Sequence, residues 1–134
     1  MRITLIGPAY PYRGGIALFT NRLAKGLQDA GHEVNIVTFT RQYPKMLFPG
    51  KTQFVENEKA PDLNIVRAID SINPFNWKKV GKQISMQEPD LVIFKYWMPF
   101  MAPCFSSIAK QIKKNGKTKT IGLVHNLIPH ERHV

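Results

Sequence analysis

Apolar residues cluster in five short runs along the chain, and more polar segments separate these runs. Runs of four to eight mostly apolar residues are typical of buried strands. In the fourth run the residues LVIF at 91–94 are all apolar, as expected of a central parallel strand that is covered on both faces. We therefore predict five strands, at residues 2–6, 32–39, 64–69, 90–97 and 119–126.

Three stretches between these strands have apolar residues three and four positions apart, which predicts amphipathic helices. The first spans residues 16–30, and its predicted buried face consists of Ile16, Phe19, Leu23, Leu27 and Ala30. The second begins at Asn73-Pro74, a capping residue followed by a first-turn proline, and ends before Pro89. The third spans residues 102–115, and its predicted buried face consists of Phe105, Ile108, Ala109 and Ile112.

The alternation of strands and helices predicts an α/β fold with a Rossmann-like, doubly wound parallel sheet. Residues 40–62 are predicted to form a long loop between two of the strands. With 134 residues, the chain is long enough for one domain with its own core and too short for two. Doubly wound domains usually have six or more strands, whereas this chain ends soon after its fifth. We therefore expect residues 1–134 to be the front part of a longer protein.

The chain is strongly basic, because 19 Lys and Arg residues stand against 9 Asp and Glu residues, a formal net charge of +10. Such an excess favours anionic partners, among them nucleic acid, an anionic membrane surface or a phosphorylated substrate, without choosing among them. The single cysteine, Cys104, excludes an intramolecular disulfide and a multi-cysteine metal site. No apolar run approaches the ~20 residues of a membrane-spanning helix, and the N-terminus lacks the pattern of a secretory signal. We therefore expect a cytoplasmic protein.

Two adjacent glycines, Gly14 and Gly15, lie between the first strand and the first helix. In an open α/β sheet the ligand binds outside the carboxyl ends of the strands, where this turn lies. Two residues without side chains allow backbone N–H groups at the helix N-terminus to face an anion such as a phosphate. The alternative is that the glycines only make a tight turn.

Two common phosphate-binding patterns are missing from this turn. A dinucleotide site needs glycines in the spacing G-x-G-x-x-G and an acidic residue at the end of the second strand, which here ends TFTR at residues 38–41. A P-loop needs Gly-Lys followed by Ser or Thr after the first strand, and the sequence has none there. A nicotinamide or flavin cofactor is therefore not expected, and an epimerase that depends on one is disfavoured.

The segment GPAYPYRGGIALFTNRLAKGLQDAGHEVNIVTF at residues 7–39 resembles the start of the family-4 retaining glycosyltransferases, which have the GT-B fold. Members of that family begin with a strand, a loop ending in Gly-Gly, a helix with a leucine-rich face and a Gly-His-Glu-Val segment, here residues 31–34. The segment GLVHNLIPHE at residues 122–131 is similar to the family's fifth strand and the histidine loop after it. The resemblance spans nearly the whole chain in the same order.

This resemblance implies two Rossmann-like domains that face each other across a cleft, of which residues 1–134 would be the N-terminal, acceptor-side one. The C-terminal domain, which in the family holds most of the nucleotide-sugar, is absent from this sequence, so we expect the chain alone to be inactive. The resemblance further implies a hexosyltransferase-type enzyme that transfers a sugar from a nucleotide-sugar to a glycan or lipid-linked acceptor with retention, without a metal or other cofactor.

The resemblance also assigns roles to residues near the carboxyl ends of the strands. By analogy, Gly14 and Gly15 bring backbone amides to the donor diphosphate, and His125 is the catalytic candidate beside the transferred sugar. The alternative for His125 is a structural histidine. Candidates on the acceptor side are Tyr12, Arg13, Tyr96, Asn126, His130 and Glu131, of which the last two are otherwise exposed polar groups of a loop. The histidines near the C-terminus lack the second ligand cluster of a zinc site, so no metal site is predicted.

The segment RQYPKMLFPGKTQF at residues 41–54 places cations around apolar side chains and contains no acidic residue. Such a segment suits peripheral contact with the anionic inner face of a membrane. The candidate residues for this contact are Lys45, Met46, Leu47, Phe48 and Lys51. The alternative is that the loop folds back and buries Leu47 and Phe48 against the domain. Nucleic acid is not expected as a partner, because the other lysines lie on predicted helix backs without an aromatic platform.

A second function class stays open beside the enzyme, namely a non-enzymatic Rossmann-like module that binds an anionic membrane surface or a protein partner. Binding of a nucleotide-sugar that the substitution Gly15→Trp abolishes would favour the glycosyltransferase. Binding to anionic vesicles without any response to nucleotide would favour the module.

Overall fold

A computed structural model describes residues 1–10, 15–41, 62–96 and 99–124 of the chain. The strands are β1 (Arg2–Ile6), β2 (Glu33–Arg41), β3 (Asn64–Asp70), β4 (Leu91–Tyr96) and β5 (Lys119–Val124). The helices are α1 (Gly15–Asp29), α2 (Pro74–Gln87) and α3 (Ala102–Lys113), and a 3-10 turn at Pro99–Met101 precedes α3. All five predicted strands and all three predicted helices are thus present. Most of the predicted loop, residues 42–61, lies outside the described residues.

The five strands form one parallel sheet in the order β3-β2-β1-β4-β5. This order confirms the predicted α/β doubly wound, Rossmann-like fold. The chain places β2 and β3 on one side of β1, and then β4 and β5 on the other side. The strand order therefore reverses between β1 and β4, which are neighbours in the centre of the sheet. In doubly wound sheets ligands bind beside such a reversal, outside the carboxyl ends of the strands. The carboxyl ends of β1 and β4 are therefore the place at which this fold offers a site.

Each face of the sheet has its own apolar cluster. On one face Ile6 and Phe94 lie in a cluster with residues of α2 and α3, and the ring of Phe105 in α3 has its centroid 5.3 Å from that of Phe94. On the other face Leu5 and Ile93 lie in a cluster with residues of α1. Because β1 and β4 are covered on both faces, their carboxyl ends are held on a rigid support.

The face of α1 that meets the sheet differs from the predicted one. The residues of α1 that are fully buried are Ala17, Thr20 and Ala24. Leu23 and Leu27 are only half-buried, and Phe19 leaves 41% of its surface exposed. The helix packs closely on the central strands through small side chains, whereas hydrophobic periodicity gives most weight to large ones. The prediction that Phe19 faces the core was therefore wrong.

Helix α2 begins and ends as its sequence predicts. The side chain of Asn73 accepts hydrogen bonds from the backbone N–H groups of Phe75 and Asn76, which have no partner within the helix. At the other end Glu88 adopts a left-handed conformation with φ of 48°, and Pro89 follows it. These local signals fix the position of α2 along the chain before any tertiary contact forms.

Candidate functional site

Three residues form a row across the carboxyl ends of the central strands, on the face that α1 covers. Ile6, the last residue of β1, pairs with a residue of β2 on one side and with a residue of β4 on the other. The next residue, Gly7, therefore lies between Thr38 of β2 and Lys95 of β4. Side chains alternate between the two faces of a strand. Each of the three residues lies two positions after a residue that packs on the α1 side, so all three lie on that side as well.

The stem of Lys95 fills the space that a side chain at position 7 would need. A β-carbon at Gly7 would lie 2.8 Å from the β-carbon of Lys95, which is closer than two such atoms can approach. Glycine is thus required at this position for the close approach of two strands. The Lys95 side chain extends toward α1, and its Nζ lies 4.2 Å from the centroid of the Phe19 ring. This distance is that of a cation–π interaction.

Lys95 is almost enclosed by the protein, with 6% of its surface exposed. Burial lowers the pKa of its ammonium group below the ordinary value, because desolvation disfavours the charged form. The Phe19 ring that covers Nζ is itself partly exposed to solvent. The ring that contacts the ammonium group therefore lies at the protein surface.

On the other side of Gly7, Thr38 is fully buried, with 0% of its surface exposed. Its Oγ1 has no hydrogen-bond partner among the residues that the structure describes. Leaving a buried hydroxyl without a partner costs about 1–3 kcal/mol, so such groups are rare in native proteins. The carboxyl edge of the sheet thus presents a buried hydroxyl and a buried ammonium group on either side of a glycine.

The N-terminus of α1 lies at the same edge of the sheet. Helix α1 begins at Gly15, which is exposed, and a β-carbon there would have no heavy atom of the described residues within 4 Å. The preceding loop is tied to the helix by the Tyr10 N–H, which donates to Oδ1 of Asn21 over 3.2 Å. First-turn N–H groups have no acceptor within a helix, and the helix macrodipole adds partial positive charge there. The position therefore favours an anion.

Tyr96, one of the predicted acceptor-side residues, lies on the opposite face of the sheet from Lys95. Its ring makes an edge contact with the Phe105 ring of α3, with centroids 5.3 Å apart. Burial, and then the neighbouring Cys104, raise the pKa of the Tyr96 hydroxyl, while a hydrogen bond with Ser106 lowers it. The structure therefore brings Tyr96 together with α3, and does not bring it together with the row formed by Thr38, Gly7 and Lys95.

Most of the residues predicted for the site lie outside the described residues. Gly15 and Tyr96 are described, at the positions given above. The candidates outside the described residues are Tyr12, Arg13, Gly14, Lys45, Met46, Leu47, Phe48, Lys51, His125, Asn126, His130 and Glu131. Their roles stay predictions.

Sequence reasoning missed Lys95 and Thr38. Lys95 interrupts the apolar segment LVIFKY of β4 at a position that shares a face with residues 91 and 93. In a strand that is covered on both faces, a lysine near the carboxyl end predicts a buried cation, and this signal was available in the sequence. Thr38 carries no such signal, because threonine is common in strands.

The outward face of α2 is cationic and partly apolar. Phe75 and Met86 leave 87% and 82% of their surfaces exposed. Lys78, Lys79 and Lys82 lie between them on the same side of the helix, and α2 contains no acidic residue. We refer to these five residues together as the α2 outer face.

The family model for Glycosyltransferase Family 4 matches residues 13–134, almost the whole chain. The chain belongs to this family. The match covers the Gly-Gly turn, the row residues Thr38 and Lys95, and the segment after β5, and it confirms the family that the sequence resembles. None of the curated proteins matches the chain.

Among solved structures, the family-4 chain is similar to an alpha-glucosyltransferase in complex with UDP and a 13-mer DNA containing an HMU base. The TM-score is 0.53 at 14% identity, and the match covers 91% of this chain and 30% of the glucosyltransferase, so the fold is shared. A glycosyltransferase, VinC in complex with dTDP, matches with a TM-score of 0.37 at 13% identity over 92% of this chain and 49% of its own. The C-terminal domain of the PF1911 hydrogenase from Pyrococcus furiosus matches with a TM-score of 0.47 at 16% identity. That match covers 90% of this chain and 89% of the hydrogenase domain.

Neither a membrane span nor a metal cluster is found in the part of the family-4 domain that the structure describes. No helix among residues 1–10, 15–41, 62–96 and 99–124 is long and apolar enough to cross a membrane. Within the same residues, no group of three or more His, Cys, Asp and Glu side chains is placed to hold a metal ion.

Proposed function

We propose that this chain is the acceptor-side, N-terminal domain of a glycosyltransferase that transfers a sugar from a nucleotide-sugar to a glycan or lipid-linked acceptor with retention. The family match supports glycosyl transfer in general. The observation that carries the proposal is the exposed glycine, Gly15, at the N-terminus of α1, beside the chain reversal between β1 and β4. A helix terminus in this place suits the diphosphate of a donor.

The open N-terminus of α1 provides a means of stabilising the leaving group. As the glycosidic bond of a nucleotide-sugar breaks, negative charge grows on the departing nucleoside diphosphate. Backbone N–H groups and the helix macrodipole stabilise that charge more strongly in the transition state than in the ground state. Gly15 has no side chain that would keep a phosphate away from these amides. In this proposal the backbone amides, rather than a metal ion, stabilise the negative charge of the diphosphate.

Two further parts of the proposal come from the resemblance to the family. His125 contacts the transferred sugar or the acceptor, and a C-terminal domain binds most of the nucleotide-sugar. The glucosyltransferase that shares this fold was solved with UDP. UDP is therefore the first nucleotide to test, with GDP and ADP as the next.

The proposal is tested by an NMR titration of the 15N-labelled chain with UDP, GDP and ADP. The variant Gly15→Trp places a large side chain over the first turn of α1. Gly26→Trp is its matched control, because Gly26 lies in the same helix and a β-carbon there also has no heavy atom within 4 Å. At least one nucleotide should shift the first-turn amides of wild type and Gly26→Trp, and not those of Gly15→Trp. Equal binding by both variants, or binding of none of the nucleotides, would contradict the proposal.

The division of labour between two domains is tested separately. Sugar transfer is expected of the full gene product and not of the 134-residue chain, so turnover by the chain alone would contradict the acceptor-side assignment. The intact mass of the native gene product gives a second readout. A mass of about 40 kDa leaves room for a second domain of ordinary size, whereas the 15.3 kDa of this chain would not.

The α2 outer face favours a second function, namely contact with an anionic membrane surface. Its three lysines are attracted to anionic headgroups, with about 1 kcal/mol for each residue near the surface. Phe75 and Met86, both highly exposed, can insert between the headgroups.

Membrane contact is tested by co-sedimentation of the chain with vesicles of phosphatidylcholine and phosphatidylglycerol. One triple variant changes Lys78, Lys79 and Lys82 of α2 to Gln. The matched control changes three exposed lysines in and after α3 to Gln, namely Lys110, Lys113 and Lys114. The α2 variant should lose binding and the control should keep most of it. Equal losses would show that net charge, and not the α2 outer face, determines binding.

A further inference from the structure

We propose that Lys95, together with Thr38 on the other side of Gly7, binds a phosphate group of the substrate at the carboxyl edge of the sheet. The inference rests on the proposed function, because it names the side chains that would bind phosphate in that site. Neither residue belongs to the Gly-Gly turn or to the histidine loop that the sequence resemblance singled out.

Lys95 is a buried cation in a strand whose other buried residues are apolar. An apolar residue of similar size would fill the same space without any loss of hydration. The lysine lies beside the chain reversal, where doubly wound sheets bind their ligands. A buried, desolvated charge at such a place is characteristic of a functional site.

The ammonium group of Lys95 and the N-terminus of α1 are close enough to serve one ligand. Nζ lies 4.2 Å from the centroid of the Phe19 ring, and Phe19 is one helical turn after Gly15. These four residues correspond to about 6 Å along the helix axis. The Phe19 ring is partly exposed, so this one side chain has room to rotate away from Nζ toward solvent. A diphosphate at the helix terminus would then contact amides and ammonium together.

Thr38 provides the second, independent observation. Its Oγ1 is buried and has no hydrogen-bond partner among the described residues. Neighbouring strands lie about 4.8 Å apart, so the backbones of Thr38 and Lys95, with β1 between them, are about 10 Å apart. Gly7 lies between them and contributes no side chain of its own. The row therefore offers a hydroxyl donor on one side of Gly7 and a cation on the other, at the same edge of the sheet.

The phosphate has two possible sources in a glycosyltransferase of the proposed kind. One is the diphosphate of the nucleotide-sugar donor, and the other is the phosphate of a lipid-linked acceptor. Both present the same oxyanions to Lys95 and Thr38. Inorganic pyrophosphate tests the shared chemistry, while UDP and geranyl diphosphate separate the two sources.

The experiment compares the wild-type chain with Lys95→Met in titrations with pyrophosphate, UDP and geranyl diphosphate. Methionine keeps an unbranched stem against Gly7 and removes the charge, and replacing a buried charge in this way is often neutral or stabilising. Lys113→Met on the exposed side of α3 removes the same charge elsewhere and is the matched control. Lys95→Met should weaken pyrophosphate binding by about 10- to 100-fold, as expected for hydrogen bonds to a charged group, and Lys113→Met should not. Equal affinities of the two variants would overturn the inference.

A second measurement uses the wild-type chain and does not depend on any variant's folding. With 13C-labelled lysine, the ε-carbon resonance of Lys95 reports the pKa of its ammonium group. A bound phosphate favours the charged form, so pyrophosphate should raise this pKa. A pKa that pyrophosphate leaves unchanged, while the exposed lysines respond, would overturn the inference.

The outcomes distinguish this inference from the proposed function. If UDP binds at the first turn of α1 and Lys95→Met binds it as well as wild type, the proposed function stands and the inference about Lys95 fails. If Lys95→Met weakens pyrophosphate and geranyl diphosphate but no nucleotide binds, Lys95 serves an acceptor phosphate and donor binding by this chain fails. If neither pyrophosphate nor any nucleotide binds, both proposals fail.

Discussion

Gly7 and Lys95 face each other across β1 and β4 so closely that a β-carbon on Gly7 would lie 2.8 Å from the β-carbon of Lys95. The contact joins the first residue after β1 to the one lysine of β4, at the reversal of the sheet. The lysine therefore has room only because its neighbour has no side chain.

Substituting Gly7 by alanine should destabilise the fold. The added β-carbon meets the stem of Lys95 next to the backbone, where little can move, and overpacking of this kind costs about 1–3 kcal/mol. Urea unfolding measures the loss. Gly122→Ala in β5 is the matched control, because a β-carbon there has no heavy atom within 4 Å, and it should change stability little. The effects of Gly7→Ala and Lys95→Gly should not be additive, because the double variant should lose less unfolding free energy than the sum of the two single losses. Strictly additive losses would contradict the contact.

Substituting Gly81 of α2 by alanine should also destabilise the fold, although alanine favours helix. A β-carbon at Gly81 would lie 2.6 Å from the β-carbon of Gln111 in α3 and 3.1 Å from the backbone oxygen of Ile108. The close contact of α2 and α3 should therefore be lost at a cost of about 1–3 kcal/mol. Gly26→Ala, in the open part of α1, should instead raise stability by up to about 1 kcal/mol, as helix propensity predicts. Thermal unfolding of both variants checks the opposite signs, and a stabilised Gly81→Ala would refute the contact.

The thiol of Cys104 should be unreactive in the folded protein. Cys104 is fully buried, and burial, followed by the charge of Asp70, raises the pKa of its thiol to about 12. Only a thiolate reacts rapidly with a disulfide reagent, so reaction should require unfolding. The rate of labelling by 5,5′-dithiobis(2-nitrobenzoate) should rise with urea in parallel with unfolding. Rapid labelling of the native protein would show that Cys104 is accessible.

The lowered pKa of Lys95 gives stability a particular dependence on pH. Between that lowered pKa and the ordinary value of 10.5, the unfolded chain binds a proton that the folded chain does not. The free energy of unfolding contributed by this group therefore rises with pH through that window. The other titratable groups are the same in wild type and Lys95→Met, so their contributions cancel when the unfolding free energy of the variant is subtracted from that of wild type. The unfolding free energy of wild type should rise relative to that of Lys95→Met as the pH approaches 10.5. A difference that stays constant or falls with pH would contradict the lowered pKa of Lys95.

Much of the fold could be predicted from the sequence, because its strongest signals are local. The apolar segment LVIF of β4 and the Asn73 cap of α2 specify a buried strand and a helix start by themselves. The family match then supports the prediction that the Gly-Gly turn opens a glycosyltransferase domain.

The site was less predictable, because its central contact depends on strand register. No pattern along the chain places residue 7 beside residue 95, which are 88 positions apart and meet only when β1 pairs with β4. The face of α1 was missed for a related reason. Its contact with the α1-side cluster of the sheet uses the small Ala24, whereas periodicity points to the larger Phe19, which instead covers Lys95.

The most direct test is an NMR titration of the wild-type chain with inorganic pyrophosphate, followed at the first-turn amides of α1 and at the ε-carbon of Lys95. Saturable shifts at both places are expected, because the helix terminus and the buried cation would bind one phosphate-containing ligand. Shifts confined to the exposed lysines of α2 and α3, or no saturable shifts at all, would contradict a phosphate site at the carboxyl edge of the sheet.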